Sequence, residues 1–200
     1  MNVYQILNQA EFIFFTTQIF SLKFNMSISA ASQRLNRMAK KNVITRIKRN
    51  LWCNTQHPYF SVLGVVPYLL GKEQGYVSFL TALNMHGMIS QIPQIYQIAT
   101  TGHTKTIQTA IGVFEFHQIK PDLMRSGIDW HSSKCPYRMA CAEKALLDTL
   151  YISTRKKKKF CALPELSMDD FSKEKFLALL KDIRPEILQK TIFQKFKTAH

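Results

Sequence analysis

The chain holds only 13 acidic residues in 200, and no two of them are spaced for shared acid/base work or for holding magnesium. Glu143 and Asp148 come closest. Five residues apart on a helix, they diverge by more than about a quarter turn. The seven glycines are scattered singly, so there is no glycine-rich phosphate loop, and neither HExxH nor GxSxG occurs. An enzyme is therefore not expected, nor is a cofactor. The four cysteines, Cys53, Cys135, Cys141 and Cys161, follow no disulfide framework, and reduced thiols are expected. His131, Cys135 and Cys141, with His117 nearby, match no standard zinc finger or ribbon; buried or incidental thiols are the better account. His86 and His117 stand alone beside apolar stripes and read as satisfied structural histidines. The opening MNVYQILNQAEF lacks the features of a secretion signal. The longest apolar runs, near Phe12–Phe15 and Phe60–Leu70, fall far short of a membrane span. A cytoplasmic protein is expected. Tandem repeats, low-complexity tracts and long linkers are also missing.

Positive charge is what the chain has in excess. Net charge is +14, unevenly spread. Residues 1–55 hold eight basic residues against Glu11, a net +7; the remaining 145 hold 19 basic and 12 acidic residues, also +7. The N-terminal piece is thus more than twice as dense in charge, and a concentrated positive field attracts polyanions. Its basic residues do not flank a lipid-facing apolar stripe, so nucleic acid is favoured over a membrane surface.

They lie on a recognisable pattern, TTQIFSLKFNMSISAASQRLNRMAKKNVITRIKRN from Thr16 to Asn50. Thr16 or Thr17 is placed to cap a first helix, with Ile19, Leu22 and Met26 on one side. Asn25 suits a tight turn, because Asn tolerates left-handed angles. Ser27 caps a second helix in which Ile28, Ala31, Leu35 and Met38 form one apolar stripe. Ser29, Gln33, Arg34, Arg37 and Lys40 share the opposite face. A strand from Val43 to Arg49 follows, with Arg46 and Lys48 facing away from Ile47. The outline is a winged helix-turn-helix: a helix for the major groove and a basic hairpin, with Arg46, Lys48 and Arg49, for the phosphate backbone. Arg suits guanine edges and Gln suits adenine edges. The competing account is a winged helix that binds only protein, its charges an ordinary solvated face.

Around this core, Val3, Ile6, Leu7 and Ala10 are spaced as a first helix. Phe12–Phe15 is a candidate small strand pairing with the wing, and Leu51-Trp52-Cys53 the return strand. The turn-rich Asn54–Pro58 marks a domain boundary, giving residues 1–55 and 56–200. Beyond it, Phe60–Leu70 reads as a helix broken or started near Pro67, and Gly71–Gly75 as a loop. Tyr76–His86 reads as a helix with Val77, Leu80 and Leu83 on one stripe, ending at Gly87. Strands are expected at Ile95–Thr100, Thr106–Thr109 and Ala110–Ile119, and a short helix or turn at Asp122–Gly127. Met139–Ser153 is the strongest later helix, with Lys144 and Asp148 one turn apart and able to pair. Arg155–Lys159 is a basic run of the kind usually solvated. Ser172–Asp182 and Pro185–Phe196 read as amphipathic helices. The fold class expected is α+β: a winged helix-turn-helix followed by a mixed α/β domain.

Three stretches carry a family resemblance: GYVSFLTALNMHGMISQIPQIYQIAT (Gly75–Thr100), GVFEFHQI (Gly112–Ile119) and CAEKALLDTLYI (Cys141–Ile152). Together they resemble the AbiEi family, antitoxins of type IV abortive-infection toxin–antitoxin systems, whose order of domains is similar. YVSFLTAL and AEKALLD are fairly specific in combination and weak singly. The resemblance implies an N-terminal domain that binds repeats in its own promoter and represses the operon. It also implies a C-terminal domain that counters a nucleotidyltransferase-like toxin, without a stable complex. Carried onto this chain, the DNA role falls on Ser29, Gln33, Arg34, Arg37, Lys40, Arg46, Lys48 and Arg49. Tyr76, Ser78, Glu143, Lys144 and Asp148 match the C-terminal motifs, and caps, ion pairs and helix packing are the preferred account of them. The chain departs from the family in its phenylalanine-rich start and in lacking an arginine cluster at the head of the second helix. The alternative function is a transcriptional regulator with a ligand-sensing or dimerising C-terminal domain and no toxin.

Overall fold

The computed structural model describes residues 3–155, 159–160 and 162–198. Lys156, Lys157 and Lys158 of the basic run, and Cys161, lie outside the described residues. Among those described, the chain is mixed α+β, with eight α-helices and two sheets. It folds as two compact units. The first comprises the described residues up to Val65 with Gln108–Gly112 and Ser132–Pro136. The second comprises Val66–Ile107, Val113–His131 and the described residues from Tyr137 on.

The first unit opens with helix α1 (Val3–Leu7), in which Ile6 and Leu7 are buried. A 3-10 turn at Ala10–Phe12 ends the helical stretch before Ala10 can join it. Strand β1 (Phe14–Thr16) leads into α2 (Thr17–Lys23), where the Thr16 hydroxyl accepts from Ile19 N at 3.2 Å. The inward face of α2 differs from expectation. Ile19 and Leu22 are exposed, at 38% and 74%, while Thr17, Phe20 and Ser21 are buried. The reason is aromatic packing: Phe20 meets the rings of Phe12, Phe15 and Phe24. Met26 follows the end of a helix only seven residues long.

Asn25 sits at φ +47 in the turn before α3 (Ile28–Lys40), whose cap Ser27 accepts from Ala30 N at 3.2 Å. Ala31 and Leu35 are fully buried, but Ile28, expected in the same stripe, is 60% exposed. Strands β2 (Thr45–Lys48) and β3 (Leu51–Cys53) form a tight hairpin with Asn50 at φ +64, and β3 pairs with β1, giving the order β1-β3-β2. Trp52 donates from Nε1 to the Thr17 hydroxyl at 3.0 Å, tying hairpin to α2. The turn after β3 is tied back to the start of the unit: Asn54 Nδ2 donates to Leu7 O at 3.1 Å, and His57 Nε2 lies 3.0 Å from Asn8 O.

The second unit begins with α4 (Val66–Leu70), which follows a 3-10 turn at Val62–Val65. Its sheet has six strands: β4 (Gly75–Val77), β5 (Tyr96–Thr100), β6 (Lys105–Thr109), β7 (Gly112–Gln118), β8 (Ile128–His131) and β9 (Tyr137–Ala140), in the order β6-β7-β5-β4-β9-β8. β4 is antiparallel to β5 and parallel to β9; β5 and β7 are parallel. Tyr76 and Val77 therefore lie in a strand, and α5 (Phe79–Met85) starts only after Ser78. Likewise Met139 and Ala140 end β9, and α6 begins at Ala142 and runs to Arg155. β8 and β9 were not legible as strands. α6 is buried from Glu143 to Ser153, because α5, α7 (Lys173–Leu180) and α8 (Glu186–Thr198) all pack on it. Helices that are apolar or buried all round sit in core positions. Among the described residues no helix is long and apolar enough to cross a membrane.

Candidate functional site

The first unit exposes basic and polar side chains on two elements, α3 and the β2–β3 hairpin. Ser29, Gln33, Arg37 and Lys40 are exposed on α3, away from the buried Ala31 and Leu35. Arg46, Lys48 and Arg49 are exposed on the β2–β3 hairpin, while Ile47 between them is buried. Arg34 is placed differently: its guanidinium lies 5.2 Å from the Phe24 ring centre, half-buried at the flank of α3. Arg46 lies 5.5 Å from the Trp52 ring, so its charge is held on the hairpin surface by an aromatic anchor. Glu11, the one carboxylate in residues 1–65, is taken by Lys23 at 2.6 Å. Residues 1–65 supply no other carboxylate that could offset the cations of α3 and the hairpin.

The residues matched to the C-terminal motifs form a different kind of site. Tyr76 and Ser78 each donate to Asp148 Oδ2 at 2.8 Å, and the Lys144 ammonium donates to Oδ1 of the same carboxylate. Lys144 also lies 5.3 Å from the Tyr76 ring centre. All four side chains are at most 2% exposed. Burial, reinforced by the negative Asp148, pushes the Tyr76 phenol well above its ordinary range. It therefore stays a proton donor to the carboxylate. Ser78 occupies the cap position of α5, but its hydroxyl serves Asp148 and not the helix N–H groups. Glu143 stands apart from this cluster. It accepts from Ser172 N at 3.1 Å and faces Lys175 at 3.3 Å, joining α6 to the start of α7.

His117 is 1% exposed; its Nε2 faces the Glu115 carboxylate at 3.3 Å without a well-formed hydrogen bond, and Nδ1 has no hydrogen-bond partner among the described residues, so the satisfaction expected of it comes only through that contact. The Phe79 and Phe160 rings meet it edge-on. His117, with Lys159 adding a hydrogen bond, holds the Glu115 carboxyl down to about 2. His86 is satisfied by Ala140 O at 2.8 Å.

Cys53, Cys135 and Cys141 are free and buried, and among the described residues no metal-binding cluster forms. Burial pushes the Cys53 thiol up to about 12 and raises the other two as well. The thiolate is the reactive form. Iodoacetamide at pH 8 is therefore expected to label these three positions only after denaturation, read by mass spectrometry of the peptides. Rapid labelling of native Cys53 would contradict its burial.

Three clefts in the second unit measure about 450, 380 and 510 Å³. The second is rimmed by Lys120, Arg125, Lys181 and Arg184 together with Asp182 and with Asp122, which pairs with Arg125 at 2.8 Å, and the third by Lys120 and Arg155. The Tyr76–Asp148 cluster lines none of these three. No protein-family model matches the chain, and no curated protein matches it at a significant level.

Proposed function

We propose that the first unit is a winged helix-turn-helix that binds double-stranded DNA, with α3 in the major groove and the β2–β3 hairpin along the phosphates. The observation that carries the reading is the exposure of Ser29, Gln33, Arg37 and Lys40 on α3 together with that of Arg46, Lys48 and Arg49 on the hairpin, in a stretch with a single, already paired carboxylate. The order helix, strand, helix, turn, helix, hairpin, with the sheet order β1-β3-β2, supports it. Phosphate contacts fix register, and base-edge contacts from Gln and Arg carry sequence preference.

Combined with the resemblance to AbiEi antitoxins, the reading becomes a cytoplasmic, non-enzymatic antitoxin. It represses its own operon from promoter repeats and counters a nucleotidyltransferase-like toxin without a stable complex. Under this reading the second unit acts through its surface, because Tyr76, Ser78, Lys144 and Asp148 are enclosed. The cleft rimmed by Lys120 and Arg155 favours one alternative, a transcriptional regulator whose second unit senses an anionic ligand. Co-expression with a neighbouring nucleotidyltransferase reading frame separates the two: rescue of growth supports the antitoxin, and its failure supports the regulator.

Replacing Gln33 or Arg37 by alanine is expected to cost about 1–3 kcal/mol of binding for each base edge no longer read, and to relax preference at that base pair. Titration against the upstream duplex and single-base variants of it measures both. Unchanged affinity and preference would contradict this docking face.

A further inference from the structure

Asn36 lies in the interior of α3 and is exposed. Asparagine is among the weaker helix formers, because its amide competes with the backbone for hydrogen bonds. Here the amide has no hydrogen-bond partner among the described residues, so it neither caps a turn nor ties α3 to the rest of the unit. Alanine would make a better helix at this position. Its place on the helix offers a reason for it. Residues turn by about 100° each along an α-helix. Ser29, Gln33, Asn36 and Lys40 therefore form one nearly straight row, all four exposed, on the side opposite the buried Ala31 and Leu35. Asn36 is central in that row. It stands about 4.5 Å along the axis from Gln33, close to the spacing of about 3.4 Å between successive nucleotides of a DNA strand.

The side-chain amide carries an acceptor oxygen and an NH2 donor in one plane. Adenine presents the matching pair in the major groove, the N7 acceptor beside the N6 amino donor, and Asn spans both. Guanine presents two acceptors there, so the amide oxygen would face another acceptor. A phosphate oxygen only accepts, and would use the NH2 while leaving the amide oxygen unmatched. Arg37 and Lys40, exposed on the same helix, supply the charge that draws a polyanion to it. Asn36 adds no charge, so its contribution is to selection and not to attraction.

We infer that Asn36 reads an adenine edge in the major groove through its amide, beside the base pair contacted by Gln33, and is a specificity-determining residue of α3. This rests on the DNA-binding reading of the first unit and extends its base-reading set to the centre of the exposed row. The fold does not need the amide, so recognition and stability should move in opposite directions when it is removed.

The test uses the full chain and its own upstream duplex, in which adenines are replaced one at a time by 7-deazaadenine. The replacement keeps the Watson–Crick pair and removes the N7 acceptor. At one adenine per bound unit the wild-type chain should lose affinity in a way that depends on Asn36. Asn36→Ala should bind the unmodified duplex about 5- to 150-fold more weakly. It should also be indifferent to 7-deazaadenine at that position, and unfold at the same or a higher temperature. Asn36→Asp has no N–H to offer N7 and adds a negative charge, so it should lose the same penalty and bind more weakly still. An Asn36→Ala variant that binds the upstream duplex as tightly as wild type would overturn the inference while leaving sequence-selective binding intact. So would a loss shared equally by a scrambled duplex, which marks a phosphate contact, or a variant that keeps the wild-type penalty at every 7-deazaadenine. A wild-type chain indifferent to 7-deazaadenine at every position would overturn it as well. A wild-type chain with no preference for its upstream duplex would overturn the DNA-binding reading and this inference together.

Discussion

Asp148→Ala is expected to destabilise the second unit by about 3–5 kcal/mol. Asp148 is 1% exposed and accepts from three donors: Tyr76, Ser78 and Lys144. Removing it leaves an ammonium in a dry interior with no counter-charge. Two buried hydroxyls lose their acceptor at the same time, each a loss of about 1–3 kcal/mol when nothing replaces it. These losses overlap, so they do not add in full. Asp148→Asn keeps an acceptor for the hydroxyls but strands the Lys144 charge, and should fall between wild type and alanine. Replacing both charges, Lys144→Met with Asp148→Leu, should recover much of the loss, because a well-packed apolar pair avoids desolvating either ion. Urea unfolding followed by circular dichroism measures all three. Wild-type stability in Asp148→Ala would contradict the enclosed network. Under the proposed antitoxin reading, a toxin-rescue assay on Asp148→Ala would report on folding, and residues acting against a toxin would have to be sought among exposed ones.

Replacing Lys48 and Arg49 together by alanine is expected to flatten the salt dependence of DNA binding. If Lys40, Arg46, Lys48 and Arg49 each neutralise one phosphate, log K should fall against log salt with a slope of about −3.6. With two phosphates fewer neutralised, the slope becomes about −1.8. Between 50 and 200 mM salt the wild-type affinity would then drop about 150-fold, and that of the variant about 12-fold. The loss should be alike on all sequences, since phosphates carry no base identity. Both side chains are exposed on a hairpin held inside by Ile47, Leu51 and Trp52, so the fold should survive. An unchanged slope would mean that the hairpin does not lie along the backbone. The contrast with Gln33 and Arg37 separates phosphate neutralisation from base reading: those substitutions should change preference more than slope.

Local chemistry was the most legible part of the sequence. Ser27 as a cap, Asn25 at a left-handed turn, and the alternation of Arg46, Ile47 and Lys48 all follow from neighbours a few residues away. The inner face of α2 was not legible in the same way. Ile19 and Leu22 are as apolar as Phe20, and only the aromatic cluster of Phe12, Phe15 and Phe24 decides which is covered. Thr17, Phe20, Ser21 and Phe24 do keep helical spacing, and that was the available signal. Short strands were missed for a related reason. β4 is three residues long and is a strand because β5 and β9 flank it, with Val77 set against Met139, 62 positions away. Tyr76 and Val77 before Phe79–Met85, and Met139 and Ala140 before α6, extend a helical pattern on paper. In the fold they end a strand just before its helix. The Lys144–Asp148 pair was legible from its spacing, whereas its enclosure by Tyr76 and Ser78 needed the sheet.

The DNA-binding claim is tested most directly by titrating the full chain against its own upstream duplex and a scrambled duplex of equal composition, across a salt series. The account requires tighter binding to the upstream duplex at every salt concentration, with affinity falling steeply as salt rises. Equal binding to both duplexes, or no binding at low salt, would contradict it and leave the basic face of the first unit as a protein-binding surface.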